Sequence, residues 1–519
     1  MENASPIVRR ITMKTNLLDN FDKTTENYHD KIAVVHGDEG ITFAELKACA
    51  QSVACNLINE TGAVVNTPVA VFLPKEIDTV IADIAIMYSS NPFMNLDVKT
   101  PKERIRNTIA LVKPAAVLTS EKYVGFFEDI DVKVLLISEL KKADSIDEKL
   151  LAARRAALID TDPMCLINTS GSTGTPKGVV LNHKSFFDFI DWATEVFGYS
   201  DDLIIGSLSP VVFDIFDFEL CMLMTHASQI VILDASLAAF PARLLERLQH
   251  SRVNYIFWVP SIMVNIANMD LLSKLPLPDL RLVWFAGEVF PTKQFLYWYD
   301  KLPNAMFVNM YGPIEITLDC TYHIIKERPE ESLPLPIGIP CRNTDILILD
   351  GERACAVGEE GELCVRGTSL AMGYYNNPEK TQAAFVQNPL NKAYPELIYR
   401  TGDVVLLDEN GLIQFKGRKD SLIKHMGYRI ELGEIENVLI NDIKLVEYCC
   451  AVYRYSKKEI VLYYESKEDI TVAGFRSAMK NMLPAYMLPS SFVRMELLPR
   501  NTNGKIDRLL LSNKANEDN

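Results

Sequence analysis

The stretch TSGSTGTPKG, residues 169 to 178, crowds glycines and hydroxyl side chains around a single lysine. It follows an apolar run, CLINTS, that reads as a strand. Backbone amides and hydroxyls on such a loop donate to phosphate oxygens, so a phosphate-binding loop is expected. It is not a Walker A loop, which places glycine directly before the lysine so that the backbone can wrap the phosphates. Here Pro176 precedes Lys177 and Gly178 follows it. A zinc site or a disulfide framework finds no support in the spacing. The ten cysteines make no CxxC pair and lie mostly in apolar runs, as reduced core residues do, and the seven histidines make no HExxH.

The elements that must carry this loop are legible as runs and alternations. Short apolar runs at 69–73, 115–120, 133–138, 165–170, 229–234, 255–260 and 280–287 read as strands. Amphipathic stretches at 42–59 and 240–249 alternate with them as helices, which predicts stacked, mostly parallel α/β sheets. From about residue 340 the texture changes. TDILILD, GELCVRG and VVLLDENGLIQFKG alternate with period two, and Asn410-Gly411 predicts a primed hairpin turn within a β-rich subdomain spanning about 340–417. A boundary near Asp420 divides a large unit, 1–419, from a small α+β unit, 420–519, a reasonable domain size. The 519 residues carry a net charge of −15, which argues against a nucleic-acid surface. No apolar run approaches the ~18 residues of a membrane span. The N-terminal MENASPIVRRITMK lacks the apolar core of a signal peptide, so a cytoplasmic protein without a membrane partner is expected.

Eight ordered motifs, covering nearly the whole chain, resemble those of the adenylate-forming superfamily: acyl-CoA synthetases, luciferases and the adenylation domains of nonribosomal peptide synthesis. They are ITFAELKACAQSVACNL (41–57), TSGSTGTPKG, FDIFDFEL (213–220), NMYGPIE (309–315), GELCVRG (361–367) with YRTGD (399–403), GRKDSLIKHMGYRIELGEIE (417–436), LPAYMLP (483–489) and NTNGKIDR (501–508). The resemblance implies a two-step ligase. A carboxylate attacks the α-phosphate of ATP and expels pyrophosphate; then a thiol attacks the acyl-adenylate. The first step gathers negative charge on phosphorus, so the site must supply cations and donors.

By resemblance, Lys505 is the catalytic cation that reaches the substrate carboxylate and the α-phosphate. Thr169, Ser170, Gly171, Ser172, Thr173, Gly174 and Lys177 bind ATP, Asn309 hydrogen-bonds adenine, Tyr311 stacks on it beside Gly312, and Asp403 with Arg418 takes the ribose. Glu315 binds Mg2+, the implied cofactor alongside ATP. Asp420 is the hinge on which the small domain turns, bringing Lys505 in for adenylation and the segment of Gly427 in for thioester formation. One departure stands out: the family's YGPTE is YGPIE here, so Ile314 replaces a threonine hydroxyl that contacts the α-phosphate.

Asp214 falls where amino-acid-activating members bind the substrate ammonium; its other reading is a helix N-cap. Ile215, Phe218, Trp258, Trp284, Ala286, Met310, Leu318 and Asp319 complete the implied pocket. Two tryptophans argue for a small side chain, while Asp319 argues for a hydroxyl or cationic partner. AGEVFP (286–291) and the chain length resemble D-alanine–carrier-protein ligases, which tend to carry cysteine where Ala286 stands. No GGxS-like pantetheine site is evident, so the thiol is expected in trans, on the phosphopantetheine arm of a separate carrier protein or on coenzyme A. A monomer is the family's common case.

Overall fold

A computed structural model describes residues 16–62, 64–142, 146–169, 177–419, 422–466, 469–500 and 506–517. Two large sheets dominate the chain up to residue 419, and both are parallel at their centres. In the nine-stranded sheet, Ile32–His36, Gln229–Ile232, Ile204–Ser207, Tyr255–Trp258, Leu282–Phe285 and Met306–Tyr311 run parallel, with antiparallel strands at both edges. In the seven-stranded sheet, Pro163–Thr169 runs parallel to Phe93–Asn95 and antiparallel to Lys177–Asn182. These strands are short apolar runs because both faces are covered.

One core joins residues of both sheets to helices Phe43–Thr61, Ile77–Tyr88, His183–Phe197 and Asp214–His226. The helix Asp214–His226 is buried continuously from Phe216 to Met224, as expected of a helix that is apolar nearly all round. The expected helix at 42–59 is Phe43–Thr61. Thr42 caps it, accepting the Glu45 N–H at 3.2 Å while the Glu45 carboxylate accepts the Thr42 N–H at 2.9 Å.

The β-rich region is a sheet built from Thr344–Asp350, Glu360–Gly367, Leu397–Leu407 and Ile413–Arg418 with short edge strands. Its last hairpin differs from the expected primed turn. Only Gly411 has positive φ (75°); the Gly411 N–H bonds Asp408 O at 3.0 Å, and the Asp408 N–H bonds Leu412 O at 2.9 Å. The Asp408 carboxylate also accepts the N–H groups of Asn410 and Leu412, both at 2.9 Å, which favours a three-residue loop with a left-handed glycine over a two-residue one.

Residues from 422 onward build their own sheets, Leu422–His425 with Tyr428–Glu431, and Tyr448–Arg454 with Glu459–Glu465 and Ser491–Met495, around separate cores. The mixed α/β architecture expected from the alternation is therefore present. Among the described residues no helix is long and apolar enough to cross a membrane, and all ten cysteines are unbridged.

Candidate active site

The C-terminal ends of parallel strands are where open α/β sheets gather ligand-binding groups, because the following loops converge there. Thr169, Asp214, Ala286 and Met310–Gly312 all lie at or just beyond such ends. The hairpin of Pro163–Thr169 with Lys177–Asn182, in which Thr169 pairs with Lys177, carries the glycine-rich loop at its tip. Ser170, Gly171, Ser172, Thr173 and Gly174 lie outside the described residues, as do Asp420 and Lys505. At the loop's base the Lys177 ammonium sits 5.4 Å from the Tyr374 ring centre. The Tyr374 hydroxyl donates to Glu315 Oε1 at 2.9 Å, linking the loop to the next motif.

The residues expected to hold the nucleotide bond one another. Tyr311 donates its hydroxyl to Asp403, and Arg418 pairs with the other oxygen of the same carboxylate. Arg418 also bonds Thr401 O at 3.0 Å, while the Asn309 amide donates to Pro336 O at 2.8 Å. Burial, with the Asp403 charge behind it, holds the Tyr311 hydroxyl well above its usual range. Gly312 is required by space. A Cβ there would meet Leu318 O at 2.4 Å and Asp319 Cα at 2.6 Å.

Asp214 is not the cap of its helix. Phe213 occupies that position without a side-chain bond, and Asp214 is the first helical residue. Asp214 is half-buried, and desolvation raises its pKa to about 6, against the backbone N–H of Leu318, the Lys424 charge and the N–H of Ile215. Leu318 and its neighbour Thr317 both have positive φ, 65° and 53°. Two successive left-handed non-glycine residues are strained, and strain of this kind persists at sites where the surroundings hold it. Asp319 is buried beside them, its carboxyl pushed well up by burial and by the Asp214 charge.

Phe218 stacks on Trp284 with ring centres 5.4 Å apart, and both share the central core with Ala286, Met310 and Leu318. Ile215 packs against that core. Trp258 does not join them. Successive side chains of a strand point to opposite faces. Phe257, which pairs with Trp284, faces the central core, whereas Trp258 packs in the second core and donates its indole N–H to Gly206 O at 2.9 Å. The two tryptophans lie on opposite faces of one sheet, so only Trp284 limits the volume around Asp214.

Two residues that had no assigned role enter the site from a hairpin that follows residue 421. Leu422–His425 and Tyr428–Glu431 form a hairpin whose two-residue loop, Met426-Gly427, has positive φ at both positions (53° and 81°). Lys424 pairs directly across from Arg429, so both cations share one face. Like charges directly opposite repel unless something offsets them. Here the large domain supplies the anions. Lys424 Nζ lies 5.6 Å from the Tyr311 ring centre; burial lowers its pKa while Asp403 raises it. Arg429 Nη1 donates to Glu315 Oε2 at 2.5 Å. The Gly427 N–H is held by Glu288 at 2.9 Å, and Phe213 meets Tyr428 edge-on at 5.2 Å. A recognised two-residue loop at Met426-Gly427 would have paired Lys424 with Arg429 from sequence.

Glu315 was expected to bind magnesium. Its side chain is 1% exposed, with Tyr374 on one oxygen and Arg429 on the other. In this arrangement the residues present do not fit a divalent cation. Ile314 is buried and lines a cleft with Asn168, Thr169, Phe213, Tyr428 and Arg429. The Asn168 amide has no hydrogen-bond partner among the described residues.

The family model described as AMP-binding enzyme matches residues 21–375. Zwittermicin A synthase ZmaJ of Bacillus cereus is 30% identical over 96% of this chain and 95% of its own length. Tyrocidine synthase 1 of Brevibacillus parabrevis is 31% identical over 95% of this chain, which spans 44% of that protein. The Vibrio cholerae adenylation domain AlmE, solved with glycyl-adenosine-5'-phosphate, superposes with a TM-score of 0.83 at 20% identity, covering 99% of both chains.

Proposed function

The chain belongs to the AMP-binding enzyme family and is an adenylate-forming enzyme related to the adenylation domains of nonribosomal peptide synthesis; from that premise we propose that it activates an amino acid. The product of the first step would be an aminoacyl-AMP. The aminoacyl group would then pass to the phosphopantetheine thiol of a separate carrier protein.

The observation that carries this reading is Asp214, a half-buried, partly desolvated carboxyl at the start of a buried helix, close to Leu318 and Asp319. A desolvated carboxylate favours a cationic partner, and the α-ammonium of an amino acid supplies one. With the ammonium on Asp214, the substrate's side chain points toward Phe218 and Trp284, which favours a small one. Its carboxylate oxygen attacks the α-phosphorus; a P–O bond forms and the bond to pyrophosphate breaks. Lys505 is the cation for that step, and Tyr311, Asp403 and Arg418 position the nucleotide.

The hairpin Leu422–Glu431 supports the second step, because it lines the same site with Lys424 and Gly427 while the segment of Lys505 belongs to the same small unit. Rotation about Asp420 would exchange the two. Just before that point Arg418 is anchored to Asp403 and Thr401, and the Lys419 N–H donates to Gly402 O at 2.8 Å.

Amino-acid-dependent ATP–pyrophosphate exchange over proteinogenic, D- and β-amino acids tests the reading. Exchange with one or a few small amino acids is expected. Exchange with fatty or aryl acids and with no amino acid would replace it with an acyl- or aryl-CoA ligase.

A further inference from the structure

Glu315 offers two carboxylate oxygens, and both are taken from within the chain. The Tyr374 hydroxyl, from the large domain, donates to Oε1 at 2.9 Å. Arg429, from the small domain, donates to Oε2 at 2.5 Å, its side chain 15% exposed against 1% for the glutamate. The arginine does not reach Glu315 by chance. Its strand is fixed by pairing with Leu422–His425, and the hairpin tip is pinned where Gly427 donates to Glu288. The following helix is tied to the large domain by the ion pair of Arg104 with Glu434.

A divalent cation needs carboxylate oxygens as direct ligands. A guanidinium already seated on one of them would stand within a few ångströms of that cation, beside a carboxylate only 1% exposed, where like charges repel. We propose that Arg429 is a positioning residue that replaces the divalent cation on Glu315, so that metal binding and docking of the small-domain hairpin exclude each other. This rests on the reading of Glu315 as the metal carboxylate in an adenylate-forming site. The two arrangements of the enzyme are then distinguished by which cation the same carboxylate holds. The docked hairpin, with Lys424 and Arg429 in place, would therefore compete with a divalent cation for one carboxylate. Linkage makes the effect reciprocal: docking weakens the metal by the factor by which metal weakens docking.

Mn2+ alone, counted by the electron paramagnetic resonance of the free ion, tests this on the full chain, with Glu315→Gln identifying the site by difference. If the docked hairpin holds Glu315 nine-tenths of the time, apparent affinity is weakened about tenfold, so Arg429→Gln should bind Mn2+ at that site about tenfold more tightly than the wild type. Equal affinities overturn the proposal. The wild type alone gives a second readout that needs no variant. Amide hydrogen exchange across residues 422–431 should accelerate as Mn2+ is added, and the response should vanish in Glu315→Gln. Exchange indifferent to Mn2+ in the wild type also overturns it. Neither measurement depends on substrate identity, so a failure of the amino-acid reading, seen in pyrophosphate exchange, is distinct from a failure here.

Discussion

Asp214 concentrates the residue-scale chemistry. Its half-buried carboxyl is pushed up to a pKa of about 6, well above the ordinary aspartate value, chiefly through desolvation. Asp319 and Lys424 face it with opposite signs. Removing one partner of a desolvated charge pair costs about 2–4 kcal/mol, so Asp214→Ala should lose roughly 30- to 900-fold in kcat/KM for the amino acid. Steady-state pyrophosphate exchange measures this, and unchanged efficiency would place the ammonium elsewhere. The pH dependence has a definite sign. The ionised carboxylate binds the ammonium, and a raised pKa means it is lost as pH falls through about 6. KM should rise by about tenfold for each unit below that value, and Asp214→Asn should flatten the profile.

At the scale of elements, the hairpin Leu422–Glu431 decides which side chains enter the site. Its two-residue loop needs positive φ at both positions, and Gly427 meets the need at φ 81° where a Cβ would also press Val259 Cγ1 at 3.0 Å. Gly427→Ala should therefore strain the loop by about 1–2 kcal/mol and push the hairpin off Val259. Transfer of the acyl group from preformed adenylate should slow in single-turnover measurements while pyrophosphate exchange is retained; equal loss in both would mean that the loop serves the two steps alike. Strand alternation acts at the same scale. It puts Trp258 behind the sheet and leaves Trp284 in front, which no count of tryptophans in the motif would reveal.

Across the whole molecule, the pair of Arg104 with the fully buried Glu434 is among the most enclosed contacts that join residues after 421 to those before 420, together with Arg429 on Glu315 and Gly427 on Glu288. Breaking a buried pair from one side costs on the order of 3 kcal/mol. Arg104→Gln should thus weaken docking without unfolding either core, and small-angle scattering should report a larger radius of gyration. An unchanged radius together with an unchanged melting temperature would show that the pair contributes nothing to the arrangement.

Much of this was legible in the chain before any coordinates. Local pattern determined the alternating strands and helices, the β-rich section and the small C-terminal unit, because apolar period and turn residues are properties of neighbouring positions. The motif residues likewise suggested roles for Asp214, Asp403 and Glu315, although Tyr374 and Arg429 occupy the Glu315 carboxylate. What lay beyond the sequence were relations between distant segments. That Trp258 and Trp284 face opposite ways depends on strand parity and register. That Lys424 and Arg429 form one cationic face depends on a two-residue loop, and that Arg429 rests on Glu315 depends on how two domains sit together. Hydrogen bonds and charge pairs act over a few ångströms, and only the tertiary structure decides which groups, more than a hundred residues apart, come within that range.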